Sequence, residues 1–252
     1  MSKRAVILAA GVGQRLQLAA DAPAPKCLLR FGEHSLLERH LRLLRAAGID
    51  DVVIVVGYEH PQITAELDRL DWSPRPTLIL NPQYRLGSVV SVAAAAQALC
   101  AGGDVLLMDA DVLYDQRMLA ALVAGDTADR LLLDAGFEAG DEPVKLCLRD
   151  GRPVELRKKV ADGLRYDQVG ESVGFFRFTQ ASATRLAQIA QQYAQAGRGN
   201  EPHEEAVRDL LLESPERFTC ADVTDLPWLE IDFPVDVSRA RDVVLPQLHP
   251  LL

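Results

Sequence analysis

The chain has 252 residues, 48% of them hydrophobic and 25% charged, and a net charge of -9 at neutral pH. This is enough to bury one large α/β core, and the acidic balance with 27 scattered Lys and Arg excludes a nucleic-acid-binding face. No apolar run reaches membrane-spanning length or follows a signal-peptide layout, and Cys27, Cys100, Cys147 and Cys220 form no metal-ligand pair or disulfide framework, so a cytoplasmic location with free thiols is expected.

In chain order, Val6 to Ala10 reads as a buried strand that empties into the glycine turn Gly11-Val12-Gly13-Gln14-Arg15-Leu16, followed by Pro25-Lys26. Small residues there let backbone N–H groups approach an anion, and Arg15 and Lys26 add fixed positive charge. The dinucleotide fingerprint would need glycine where Leu16 stands, and the P-loop would need Gly-Lys-Ser/Thr, so neither pattern is met. Leu36, Leu37, Leu41, Leu44 and Ala47 recur at helical spacing up to Gly48, and the continuous run Val52 to Val56 follows as a strand covered on both faces. Thr77 to Leu80 predicts a short strand, Ser88 to Leu99 a helix and Asp104 to Met108 another strand. This alternation predicts an open, Rossmann-like doubly wound sheet.

Beyond residue 130 the pattern turns antiparallel. Leu131 to Leu133 is a strand, and Val144 to Leu148 joins Val154 to Leu156 across the hairpin signal Asp150-Gly151. Val173 to Phe178 is strand-like, Ala181 to Ala196 and Glu201 to Glu213 are expected helices, and Val235 to Val244 is a last one. The expected architecture is one α/β domain over 1–252: a mixed, mostly parallel sheet with helices on both faces and a β-hairpin elaboration. Its parts are a core at 1–130, a hairpin region at 131–178 and a C-terminal part at 179–252.

In such sheets ligands bind outside the carboxyl ends of strands. Asp109 and Asp111 directly follow Val105 to Met108, and Asp232 ends the apolar segment Trp228 to Ile231. Two carboxylates from separate strand ends suit one magnesium ion, whose other positions go to water and phosphate oxygens.

The pattern Leu-Ala-Ala-Gly-x-Gly-x-Arg-Leu with a following Pro-Lys, the segment Leu107 to Val112 and the segment Trp228 to Asp236 together resemble the nucleotidyltransferases that join a nucleoside triphosphate to a phosphorylated small molecule. Among these the chain most resembles the cytidylyltransferases acting on phosphocholine, 2-aminoethylphosphonate and inositol phosphate. The resemblance implies transfer from CTP, or another NTP, to a small phosphorylated acceptor with release of pyrophosphate and Mg2+ on Asp111 and Asp232. Leu8, Ala9, Ala10, Gly11, Gly13 and Gln14 would surround the nucleotide with Gly87, Ser88, Ser91 and Asp109, while Lys26 would hold the α-phosphate and Arg15 the β- and γ-phosphates. Ser91 matches the family serine that helps recognise the pyrimidine, but Gly87-Ser88 stands where the phosphocholine enzymes carry Asn-Asn. Lys159, Glu171 and Glu204 are the implied acceptor residues. The resemblance puts the nucleotide on the 1–130 core and the hairpin over the acceptor site and leaves a homodimer open, while the lack of a long apolar run predicts no membrane insertion. A sugar-1-phosphate uridylyl- or thymidylyltransferase and a silent nucleotide-binding relative are the alternatives, and retention of Arg15, Lys26, Asp111 and Asp232 speaks against the second.

Overall fold

Strand pairing is built around the apolar run at the start of the chain. In the computed structural model, which describes residues 2–17, 24–125 and 128–251, strand Lys3–Ala9 lies in parallel between Asp51–Val56 and Asp104–Asp109. Thr77–Leu80 extends the sheet in parallel past Asp51–Val56. Alternate side chains sort into two apolar layers: Ala5, Ile7 and Ala9 face one side, and Val6 and Leu8 face the other. Both sides are covered, which is why the run is apolar throughout rather than alternating with polar residues.

Beyond Asp104–Asp109 the direction reverses. Gln168–Phe178 pairs antiparallel with it, making the sheet mixed but mostly parallel, as expected of a Rossmann-like plan. The first half of this eleven-residue strand also pairs with Lys145–Arg149, which turns at Asp150-Gly151 into Arg152–Arg157. Asp150 and Gly151 have φ of 53° and 72°, both positive as a two-residue hairpin turn requires. Along the opposite edge run Asp129–Asp134 and, parallel to it, Phe218–Asp222. A register break places Gly174 at φ 79°, where a Cβ would run into the Asp109 carboxylate. The bulge therefore lets the strand pass close beside that side chain.

Helix Leu36–Ala46 starts at Ser35, whose hydroxyl accepts the Glu38 N–H, and buries Leu37, Leu41 and Leu44 on one layer. Gln180–Gln195 and His203–Glu213 cover the other with Leu186, Ala190, Val207 and Leu211. The helix expected over 88–99 divides into Val89–Ala94 and Ala96–Leu99, and the last expected helix is Pro234–Arg239 followed by a π-helical turn, Ala240–Val244. Helices His60–Leu70 and Gln116–Val123 add to the expected set. No described helix is long and apolar enough to cross a membrane.

Candidate active site

The glycine turn leaves the first strand at Ala10 and Gly11 and enters one helical turn, Gln14–Gln17, closed by the Leu16 N–H bond to the Gly13 carbonyl. Gly13 has φ 63°, and a Cβ on it would lie 2.9 Å from Lys26 Cγ. Glycine is needed twice over here, for the left-handed backbone and for the passage of the lysine stem. Lys26 itself is set by the 3-10 turn Lys26–Leu28 after Pro25.

Its ammonium donates to Asp111 Oδ2 at 2.9 Å and to Asp232 Oδ1 at 2.6 Å. Burial would lower the lysine pKa, but the two carboxylates outweigh it and hold the group above its ordinary value. The aspartates meet because Val112–Tyr114, directly after Asp111, pairs antiparallel with Trp228–Glu230, which ends one residue short of Asp232. The Ile231 N–H closes that ladder on the Asp111 carbonyl at 3.0 Å. Asp236 Oδ2 then accepts the N–H groups of Asp232 and Phe233, fixing the turn.

Glu230 joins the pair: carboxylate oxygens of Asp111, Glu230 and Asp232 lie within 4.8 Å of one another. This all-oxygen set suits a hard divalent cation. Glu230 was not a sequence candidate, although its two-residue spacing from Asp232 in an extended segment was the available signal. Arg15 is half exposed, 3.2 Å from Glu142 and 3.5 Å from Asp232, with its guanidinium 4.7 Å above the Phe233 ring.

Three cavities open around this centre. The first, of about 270 Å³, is walled by Leu8, Ala9, Ala10, Gly11 and Gly13 on one side and Gly87, Ser88, Ser91 and Asp109 on the other, with Lys26 and Asp111 at its end. Gln14 and Arg15 line instead the adjoining cavity of about 370 Å³, with Lys26 and Asp232. The third, of about 540 Å³, contains Glu171, Glu204, Glu142, Lys158 and Trp228. Lys159 is exposed and lines none of the three, while its neighbour Lys158 borders the first and third. Of the two lysines it is therefore Lys158 and not the expected Lys159 that borders the cavities, its ammonium 3.2 Å from Glu142.

Several details shape these walls. Ser91 Oγ accepts the Nδ2–H of Asn81, a residue 2% exposed, so Asn81 supports the serine from behind. Gly87 has no room for a Cβ, because Asn200 and Glu201 backbone fills the place. Burial and the neighbouring charges of Glu204 and Asp111 push the Asp109 carboxyl well up. Burial, with Asp134 next to it, raises Glu171 to about 7. His203, absent from the sequence candidates, also faces the first cavity.

Comparison with known proteins agrees with this geometry. The chain is 27% identical to the bifunctional IPC transferase and DIPP synthase of Rubrobacter xylanophilus over 96% of its own length, spanning about half (52%) of that protein. It is 23% identical to the CTP:phosphoglutamine cytidylyltransferase of Campylobacter jejuni, over 93% of this chain and 97% of that one. The inositol-1-phosphate CTP transferase of T. maritima superposes with a TM-score of 0.75 at 18% identity, covering 96% and 98% of the two chains, and so shares the fold. Residues 5–168 match the family described as MobA-like NTP transferase domain. That match takes in the glycine turn, Lys26 and Asp111, and the chain belongs to that family.

Proposed function

We propose that the protein transfers a cytidylyl group from CTP to a small phosphorylated alcohol or phosphonate in a magnesium-dependent reaction. The observation that carries this reading is Lys26, held between Asp111 and Asp232 where the first cavity, walled by the glycine turn, meets the second. The choice of CTP is supported by the relatives whose names specify CTP or cytidylyl transfer.

An acceptor phosphate oxygen attacks the α-phosphorus in line, the bond to the β-phosphate oxygen breaks, and pyrophosphate departs. Charge accumulates on the α-phosphoryl oxygens, so positioning and cations matter more than a strong base. Lys26 supplies one cation at the α-phosphate. Gly11 to Gln14 offer backbone N–H groups to the β- and γ-phosphates, and Arg15 leaves Glu142 to pair with them, since a triphosphate carries more charge than the carboxylate. Asp111 and Asp232, with Glu230, would hold the magnesium, which supplies Lewis-acid stabilisation of the phosphoryl oxygens when bound. Leu8 to Gly11 pack under the base, and Ser91 offers its hydroxyl to the pyrimidine edge.

The third cavity favours an acceptor that carries positive charge. Asp134, Glu138, Glu142, Glu171, Glu204 and Asp236 line it against the cations of Lys158 and Arg239 alone, and this acid surplus suits a cationic group better than a neutral polyol. Lys158 is the cation placed for the acceptor phosphate. Pyrophosphate release tests the reading, with CTP, UTP, dTTP, ATP and GTP each offered phosphocholine, phosphoethanolamine, 2-aminoethylphosphonate, inositol phosphate and hexose 1-phosphates. Release with CTP and an amine-bearing acceptor is the expected result. Release with UTP or dTTP and a hexose phosphate would replace it with the sugar-nucleotide reading, and nucleotide binding without turnover across the panel would refute it.

A further inference from the structure

We propose that His203, braced by Ser88, contacts the ribose hydroxyls of the bound nucleotide and makes the protein select ribonucleotides over deoxyribonucleotides. The inference rests on the nucleotidyl-transfer reading and assigns a role to a residue outside the glycine turn, Lys26 and aspartate set.

His203 opens helix His203–Glu213, and its side chain is only 3% exposed. Its backbone N–H donates to Ser88 Oγ at 2.8 Å, and its Nδ1 lies 3.0 Å from the same oxygen and 3.1 Å from Glu204 Oε2. The ring also packs edge-on against Phe176 at 5.9 Å. One face and one nitrogen are thus fixed by the protein. The other nitrogen, Nε2, is buried without a hydrogen-bond partner, and the polar atom it faces, Asp109 Oδ2, is 3.8 Å away. Native structures rarely leave such an atom unpaired unless a water, an ion or a ligand completes it, and this one lies in the wall of the first cavity.

Its place along the cavity identifies the ligand group. With the nucleotide placed as proposed, Ser91 takes the base and Asp111 and Lys26 take the phosphate side, and all three line the same cavity as Ser88 and His203. His203 bridges the interval, with Ser88 on one side and Asp109 on the other, where a nucleotide carries its sugar. The two ribose hydroxyls each donate and accept. They can satisfy the unpaired Nε2 and the Asp109 and Glu204 carboxylates together, whichever ring nitrogen carries the proton. The segment is delivered by backbone docking: Gly87 N–H bonds to the Gly199 carbonyl at 2.8 Å and Val89 N–H to the Glu201 carbonyl at 3.2 Å. Gly87 is what permits this contact, since any side chain there would strike Asn200 and Glu201. The Gly-Ser that stands where phosphocholine enzymes carry Asn-Asn is, on this reading, the seat of a histidine.

The test uses calorimetric Kd and kcat/KM for CTP and dCTP with wild type, His203→Phe, His203→Gln and Ser88→Ala, all checked for unchanged thermal unfolding. Phenylalanine keeps the packing on Phe176, and Ser88→Ala loosens the ring without altering it. A site built to hydrogen-bond a substrate hydroxyl rejects the analogue that lacks it, and for this half-open cavity we expect wild type to favour CTP by about 100-fold or more. His203→Phe should narrow the ratio to below about 10-fold by weakening CTP, which has both hydroxyls to lose, far more than dCTP, which has only the 3′-hydroxyl. His203→Gln should recover part of it, and Ser88→Ala should show a smaller narrowing. Equal losses on both nucleotides, or a wild type that does not discriminate, would overturn the proposal. So would loss of one bound Mn2+ per chain in His203→Phe at an unchanged ratio, which would make the cluster a cation site. If turnover proves to use another base, the same ribo/deoxy pair of that base still tests His203, which separates this failure from failure of the CTP assignment.

Discussion

Replacing Lys26 by methionine keeps the stem that threads past Gly13 and removes only the ammonium. That ammonium is 2.9 Å from Asp111 and 2.6 Å from Asp232, with side-chain exposures of 17%, 21% and 30% for the three residues. At an effective dielectric near 20, each contact represents on the order of 5 kcal/mol of Coulomb attraction. Most of that offsets the desolvation of three charges. Breaking a fully buried pair costs about 3 to 5 kcal/mol, and scaling down for the residual exposure leaves about 2 kcal/mol for the metal-free protein. In a chain of this size that lowers Tm by roughly 4 to 8 °C. The variant also gathers the Asp111, Glu230 and Asp232 carboxylates, oxygens within 4.8 Å, without their internal cation. Magnesium should therefore raise its Tm more than it raises that of wild type, while kcat falls by about 10² to 10³ through loss of the cation at the α-phosphate. Thermal unfolding in EDTA and in millimolar magnesium, with pyrophosphate release alongside, reads all three quantities. Wild-type stability in EDTA together with an unchanged magnesium shift would refute the electrostatic reasoning, and a kcat within threefold of wild type would refute the assignment at the α-phosphate.

Three further outcomes follow from individual residues. His40 is wholly buried beside the Tyr114 and Phe175 rings, and burial brings its pKa down to about 4. The unfolded chain takes up the proton near 6.5, so the stability this histidine contributes is present above that pH and is lost as pH falls toward 4. About 2 kcal/mol should disappear between pH 7 and pH 5 in urea denaturation, and His40→Leu should lack that component of the slope. Glu171, raised to about 7, becomes ionised as pH rises through neutrality. The KM for an amine-bearing acceptor should therefore fall from pH 6 to pH 8 at saturating CTP, and Glu171→Gln should flatten the profile at a higher KM; a retained slope would rule the residue out. Gly87→Ala should lose about 2 kcal/mol on chemical denaturation and bind nucleotide more weakly, because its Cβ displaces the 199–201 segment. A variant within 0.5 kcal/mol, the ordinary range of neutral surface changes, would show that segment to be loosely docked.

What the sequence makes legible here is local. The strand Lys3–Ala9 and the carboxylates of Asp109 and Asp111 can be read directly, since a strand covered on both faces must be apolar and its end must be where polarity begins. The hairpin is announced by Asp150-Gly151 for an equally local reason. His60–Leu70 is harder to see: its N-cap, Glu59, has φ 47° and no side-chain cap bond, and its first turn holds no acid. The meeting of Asp111 with Asp232 depends on a ladder between segments more than a hundred residues apart; the sequence marks each as a strand end, and the family resemblance singles out this pair. His203 was missed for the same reason, because its burial comes from docking on Gly87 and Ser88. Whether Lys158 or Lys159 turns inward depends on the exit angle of a strand, which adjacent identical residues do not encode.

The hairpin beside the third cavity is also stiffer than a hairpin over an open cleft would be. Arg157, at the end of strand Arg152–Arg157, holds both Glu205 carboxylate oxygens at 2.8 and 2.9 Å, and Arg208 grips Glu155 of the same strand with two bonds in turn. Two-bond guanidinium–carboxylate pairs fix orientation as well as distance. Glu155 is 5% exposed, so one of the two pairs lies largely out of reach of salt. Helix His203–Glu213 contributes Glu205 and Arg208 to these pairs, and the same helix presents His203 and Glu204 to the cavities. Lys158 follows the clamped strand directly. The hairpin, Lys158, His203 and Glu204 therefore form one block, joined to the nucleotide wall through the Gly87 contact. Closure over an acceptor would have to move that block against Gly87–Ser88, and a displacement large enough to admit a bulky acceptor would also disturb the contacts that seat His203. Under the proposed cytidylyl transfer, acceptor size and nucleotide fit would be coupled through the backbone at Gly87, which would favour the small acceptors named above over an extended one.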